Sequence, residues 1–218
     1  MTQTAYVRFA WTALVVTVAV IVWGAVVRAT GSGAGCGSHW PLSNGVVVPL
    51  ESRAATVIEY VHRLTSGAAM ILSLGLAIGA RFVFAAGHRA RTWALAAFVV
   101  MLIEAALGAG LVLLGLVEQN TSALRAIYIA VHLSNTMVLT ALMTGTIWWA
   151  SQPAGSGAAS PIVRSRRLLW IMVLTIVTAA AGAAVALGDT LFPAASLGQG
   201  IAADLSAASH VLIRDRKS

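Results

Sequence analysis

Apolar residues in this chain do not alternate with polar ones at a strand period, and they do not form a single helical stripe. They run on in blocks of about twenty residues broken by short polar stretches. Such blocks have the length of a bilayer-spanning helix. Five are long enough: roughly Phe9–Val27, Val57–Ala80, Trp93–Val117, Ala126–Trp149 and Leu168–Gly188. The pattern predicts an all-α protein, a polytopic transmembrane helical bundle with a four-helix N-terminal half and an incomplete second half. The first block follows Arg8, as in a signal peptide, but its apolar run is too long for one and more spans follow. It is read as a retained anchor.

The polar breaks set the organisation. Arg81, Arg89 and Arg91 fall between the second and third blocks, and Arg164, Arg166 and Arg167 between the fourth and fifth. Basic loops stay cytoplasmic, which places the N-terminus inside and the loop Arg28 to Thr56 outside. Glu118–Leu124 and the stretch from Asp189 onward are then outside as well. Arg28, Arg53 and Arg125 run against the trend, either as noise or to meet an anionic ligand. "SQPAGSGAAS", Ser151 to Ser160, is the one linker-like stretch. Three regions follow: residues 1–150 as a four-helix transmembrane half, 151–167 as a cytoplasmic linker, and 168–218 as a fifth helix, an outer loop and an incomplete sixth helix. "WGAVVRATGSG" and "AGAAVALGDT" form a faint repeat across the linker, as two related halves would. The apolar "LSAASHVLI" near the end is too short to span.

Composition sharpens this picture. Of 218 residues, 59% are hydrophobic and only 10% charged, with mean hydropathy +0.86; soluble domains carry about a quarter charged residues. The net charge of +7 sits at the ends of apolar blocks, so no basic, aromatic-studded face is left for nucleic acid. The single cysteine, Cys36, excludes an intrachain disulfide. Trp11, Trp23, Trp148 and Trp149 fall near block ends, as in aromatic belts.

The candidate chemistry lies near the outer ends of the second and fourth blocks. His62 and His132 each sit about one and a half turns or more inside a helix running inward, on the order of 10 Å deep. Two imidazoles at matched depth can ligate one metal from opposite sides, and in a helical bundle that metal is haem iron. The alternative is that each histidine hydrogen-bonds across helices; the matching depth favours ligation. Glu59, three residues before His62, shares its helix face and is a functional candidate, since ionisable groups near hydrocarbon are costly. A salt bridge with Arg63 is the plainer account. Glu104, deeper in the third block, is either protonated or packed against a polar partner such as Asn135 or Ser134. "LGAGL", Leu107 to Leu111, fits close helix packing. There is no metal-thiolate pattern, phosphate-binding loop or nucleophile–base pair.

"VVRATGSGAGCGSHWPLSNG" followed by "IEYVHRLTSG" resembles the first outer loop and second helix of the haem A synthase family. "VHLSNTMVLT" is similar to that family's fourth helix and "ALGDTLFP" to its fifth-helix exit, in order from about Gly24 to Arg216. The resemblance implies an eight-helix membrane oxidoreductase of two four-helix halves that converts the C8 methyl of haem O to a formyl group for terminal oxidase assembly. It implies that residues 1–150 are the haem-binding half, with His62 and His132 as axial ligands of the substrate haem. It implies Glu59 as the catalytic carboxylate, and Arg63 beside them as a cofactor contact. The opening loop would then be a lid on the haem pocket.

Two departures stand out. Many bacterial members carry a second loop cysteine where this chain has Ser43, so a loop disulfide is not expected. The family's second half binds a haem b through a histidine pair on its sixth and eighth helices, and this chain ends before completing the sixth. His210 matches an outer-loop histidine, not a ligand. The chain therefore reads as C-terminally truncated, with the second haem site missing. The alternatives are a bis-His electron-transfer protein or an inactive truncated synthase. The implied partners are membrane lipid, haem O, an electron donor, haem O synthase, and either a second copy or a subunit supplying the other half. The expected location is the plasma membrane.

Overall fold

The computed structural model describes residues 1–50, 53–117, 120, 122–152 and single positions between 170 and 182. Four helices make up the described fold: α1 (Gln3–Ala29), α2 (Ala54–Val83), α3 (Arg89–Leu113) and α4 (Ala123–Ala150). Among the described residues there is no strand, and all four helices are long and apolar enough to cross a membrane. This is an all-helical membrane protein. Most of the linker, of the fifth block and of the faint repeat's second copy, and His210, lie outside the described residues.

Each helix begins before its apolar block. α1 starts six residues before Phe9 because Thr2 caps it, its side chain accepting from Ala5 N. α2 and α4 each begin three residues earlier than the blocks suggested, so the matched depth of their histidines is preserved. α3 instead stops short of Val117. Gly115 takes φ +63°, and Leu116 N donates to Leu111 O at 2.8 Å while Gly115 N donates to Val112 O. That is a left-handed glycine stop, which an apolarity count cannot see. The expected Arg81–Thr92 loop is only the turn between Val83 and Arg89. Arg81 stays in the last turn of α2, and Arg89 lies over the Trp149 ring at 4.5 Å.

α1 packs on α2 and α4, and α3 packs on the same two. The four therefore form a closed square in which α2 and α4 stand diagonally opposed. The buried core fills only one end of that square. Tyr6, Ala10, Leu76, Ala94, Leu139 and Met143 belong to it, and Tyr6 Oη donates to Leu76 O at 3.0 Å. Alanines let the helices approach closely, as small residues do in membrane bundles. Large apolar side chains such as Trp11, Val15, Ile71, Phe82 and Ile127 point outward. A helix surface apolar on its outside belongs in lipid.

Along every helix the core stops about midway, at Leu14, Ala69, Met101 and Leu139. Beyond that level the bundle carries polar groups and glycines, under the loop that joins α1 to α2.

Candidate functional site between α2 and α4

The opening loop is ordered because α2 holds it at three points. Thr56, Glu59 and Arg63 follow one another at spacings of three and four, so they line one face of α2. Thr56 Oγ1 donates to Gly35 O at 2.8 Å, and Cys36 N donates to Glu59 Oε2 at 2.8 Å. Arg63 Nη1 donates to His39 O at 2.6 Å and Leu42 O at 2.7 Å. Its Nε and Nη2 reach Glu59 Oε1 at 3.0 and 2.5 Å. Glu59 is nearly enclosed, its side chain only 4% exposed. The Glu59–Arg63 pair foreseen as the plainer account is present, and it serves as a clamp on the loop.

Cys36 is a free thiol with no exposed surface. Ser43 Oγ donates to its sulfur at 2.8 Å, and the thiol faces Thr56 O at 3.7 Å. Burial pushes the thiol above its ordinary range, and the Glu59 charge adds to that; the Ser43 hydrogen bond and the Arg63 charge oppose it. Ser43 stands beside Cys36 where a second cysteine would make a bridge. Trp40–Pro41 is a cis peptide.

His62 lies eight residues after Ala54 and His132 nine after Ala123. At 1.5 Å per residue this puts them about 12 and 13 Å below the loop end of the bundle. They sit on the diagonally opposed helices. Gly24 of α1 lies against the His62 ring: a Cβ there would come within 3.0 Å of Cε1 and 3.4 Å of Nε2. His132 faces Gly108 of α3, where a Cβ would lie 3.9 Å from Nε2. Each ring is thus given room by a glycine. Both Nδ1 atoms are buried without a hydrogen-bond partner in line.

Glu104 completes the site from α3. Its Oε1 lies 3.2 Å from His132 Nδ1, and Thr136 Oγ1 donates to the same oxygen. Asn135 Nδ2 donates to Oε2 at 2.6 Å. Asn135 is one of the two partners expected for Glu104. Ser134, the other, turns its hydroxyl back to Ala130 O. Arg125, one of the outlying arginines, is buried and donates to Asn120 O at 2.9 Å, bracing the turn before α4.

The structure therefore gathers His62, His132 and Glu104 into one polar level of the bundle, with Glu59 and Arg63 just above, turned to the loop. Sequence reasoning missed Gly24, Thr56 and Thr136. The spacing of Thr56 to Glu59 and Arg63 was visible as a helix face. No local signal marked Gly24, which matters only through the helix it faces. Chemically, the level offers two imidazoles from opposite walls and one carboxylate beside one of them.

The chain is 42% identical over 213 residues to a protein of Thermus thermophilus named protoheme IX farnesyltransferase, covering 95% of this chain and 34% of that protein. It is 36% identical over 129 residues to a heme A synthase of Exiguobacterium, covering 57% of this chain and 41% of the relative. A heme A synthase of Bacillus mycoides is 43% identical over 96 residues, 44% of this chain and 31% of its own. The chain thus spans about a third of the length of the curated relatives it matches. No solved structure matches it. The family model for the cytochrome oxidase assembly protein family, COX15-CtaA, matches residues 7–208. With nearly the whole chain inside that match, this protein belongs to the COX15-CtaA family of cytochrome oxidase assembly proteins.

Proposed function

We propose that this chain carries the haem-binding half of a haem A synthase, which oxidises the C8 methyl of haem O to a formyl group. The observation that carries the reading is the pair His62 and His132, at one depth on diagonally opposed helices under an ordered loop. The residues present fit a haem. Both Nδ1 atoms are buried, Gly24 and Gly108 leave space against the rings, and neutral imidazoles suit iron. Haem O would then be the substrate, held through its iron by His62 and His132.

The chain's own contribution is to hold and to shield. His62 and His132 would hold the macrocycle at their common depth, below the end of the bundle where Glu59 sits. Thr56, Glu59 and Arg63 keep the loop closed over that end and limit water. Arg63 and Cys36 N hold the Glu59 carboxyl group in place, where it could accept a proton or stabilise positive charge at the oxidised carbon. The basic residues Arg81, Arg89 and Arg91 at one end of the bundle support an N-terminus on the cytoplasmic side of the plasma membrane and a loop outside. An electron donor, a haem O synthase and either a second copy or a subunit supplying the other half are the partners this reading requires.

The name of the Thermus relative favours a second reading, prenyl transfer to haem. That name covers a protein about three times as long as the matched stretch. Transfer from a prenyl diphosphate relies on carboxylates that hold Mg²⁺ against the diphosphate. The aspartates here, Asp189, Asp204 and Asp215, are spaced too far apart to form such a motif. The synthase reading is therefore preferred.

The deciding experiment is extraction of haems from membranes that make haem O, with and without this chain. Haem A that depends on the chain supports the reading. A farnesylated product made from haem b, in a host lacking its own transferase, would support the second. Haem bound but unchanged would favour electron transfer.

A further inference from the structure

We propose that Glu104 is a positioning residue for His132, and that it makes the two histidines of the site unequal. The assignment rests on the haem-binding reading above. Its geometric basis is that only one of the two imidazoles has a carboxylate at its back.

Glu104 stands one turn beyond Met101, where the apolar core ends, and one turn short of Gly108. A carboxylate so deep in a membrane bundle is costly unless its oxygens are satisfied. α4 satisfies them. Asn135 Nδ2 bridges Oε2 at 2.6 Å and Val100 O at 3.1 Å, and Thr136 donates to Oε1. These donors pin the carboxylate in one orientation, and Oε1 then faces His132 Nδ1 at 3.2 Å. That nitrogen is buried and has no other partner among the described residues. A modest rotation of the ring brings its N–H into line. With Glu104 as acceptor, the proton resides on Nδ1 and the lone pair on Nε2, the atom that faces Gly108. An Nδ1–H···carboxylate bond also raises the basicity of Nε2 and fixes the ring angle.

Thr136 adds a tuning element. Its hydroxyl shares Oε1 with His132, and its single proton is divided between that oxygen and His132 O at 3.0 Å. Two donors on one oxygen compete, so Thr136 weakens the hold of Glu104 on the imidazole.

His62 has nothing equivalent. Its Nδ1 is buried without a hydrogen-bond partner among the described residues, and its ring leans on Gly24. Its backbone carbonyl is engaged by Thr65 and Ser66, which leaves the ring itself held by packing. His132 is the fixed ligand of the site and His62 the exchangeable one.

The test is the iron–histidine stretching frequency of ferrous haem b bound to the full chain, read by resonance Raman in two single-histidine backgrounds. That frequency follows hydrogen bonding at Nδ1. His62→Ala leaves His132 as ligand, and His132→Ala leaves His62. The stretch should be higher in the His62→Ala background. Glu104→Gln should lower it there and leave the His132→Ala background unmoved. Thr136→Val should raise it in the His62→Ala background, because the shared oxygen is freed. A role confined to folding would not move the band in opposite directions, and Thr136→Val decides by sign should Glu104→Gln fail to accumulate. Haem uptake with equal frequencies in both backgrounds, or with equal shifts on Glu104→Gln, overturns this assignment and leaves the functional reading standing. No haem uptake by the unsubstituted chain overturns both.

Discussion

Replacing Glu59 by Gln should open the loop before it affects the bundle. In the native site Oε2 accepts from Cys36 N at 2.8 Å, and Oε1 accepts from Arg63 Nε and Nη2. The amide keeps the size and one oxygen, but its NH₂ group faces a donor on one side or the other. One charge-assisted hydrogen bond is lost, worth about 1.5–3 kcal/mol. The Arg63 guanidinium, only 12% exposed, loses its counter-charge, and fully breaking a buried pair costs about 3–5 kcal/mol. Two loop carbonyls still hold Arg63, so the net loosening should be about 2–3 kcal/mol. At about 1.4 kcal/mol per factor of ten, the open fraction of the loop rises roughly 30- to 150-fold. Cys36 reports this directly, since it is the only cysteine and has no exposed surface. Its labelling by a thiol reagent in the purified protein should accelerate by that factor, with helix content unchanged. Arg63→Met should accelerate it similarly, and the double variant should fall well short of the sum. A Glu59→Gln labelling rate within twofold of the parent would refute the clamp. The same pair separates anchoring from chemistry: Arg63→Met keeps the carboxylate and should retain part of the haem A yield. Glu59→Gln should lose roughly a hundredfold if the carboxylate acts in the reaction.

Gly24→Ala should push the His62 ring aside, because its Cβ would fall 3.0 Å from Cε1; haem content should drop, whereas Gly108→Ala, at 3.9 Å, should keep the parental spectrum. The Cys36 thiol, held above its ordinary range chiefly by burial, should show thiolate absorbance only at pH values above those of a free thiol. Its stabilising contribution is then full below the ordinary thiol pKa and is lost as pH rises through the folded value, so loop protection should weaken on the alkaline side; a thiolate titrating at or below the free-thiol value would contradict this. Tyr6→Phe removes the buried bond to Leu76 O and should lower thermal stability by about 1 kcal/mol without changing haem uptake.

The helices were legible because lipid demands apolar blocks of one length, and that demand leaves a signal in every residue of α1 to α4. Matched histidine depth was legible for the same reason: depth is a count along a helix. The end of α3 was not, since a left-handed Gly115 stops a helix through backbone geometry while Leu114, Leu116 and Val117 keep the block apolar. The partner of Glu59 was visible at a spacing of four. That its other oxygen binds Cys36 N was not, because loop backbone carries no pattern. Glu104 lay in plain view as a lone acid, but its link to His132 depends on which faces α3 and α4 turn to one another, and a single sequence does not specify that.

The most direct measurement is the optical spectrum of the purified chain reconstituted with haem, alongside His62→Ala and His132→Ala. The account predicts a low-spin, six-coordinate spectrum for the parent, converted in each variant to a high-spin or five-coordinate form with reduced haem retention. An unchanged low-spin spectrum and undiminished haem content in both variants would contradict it.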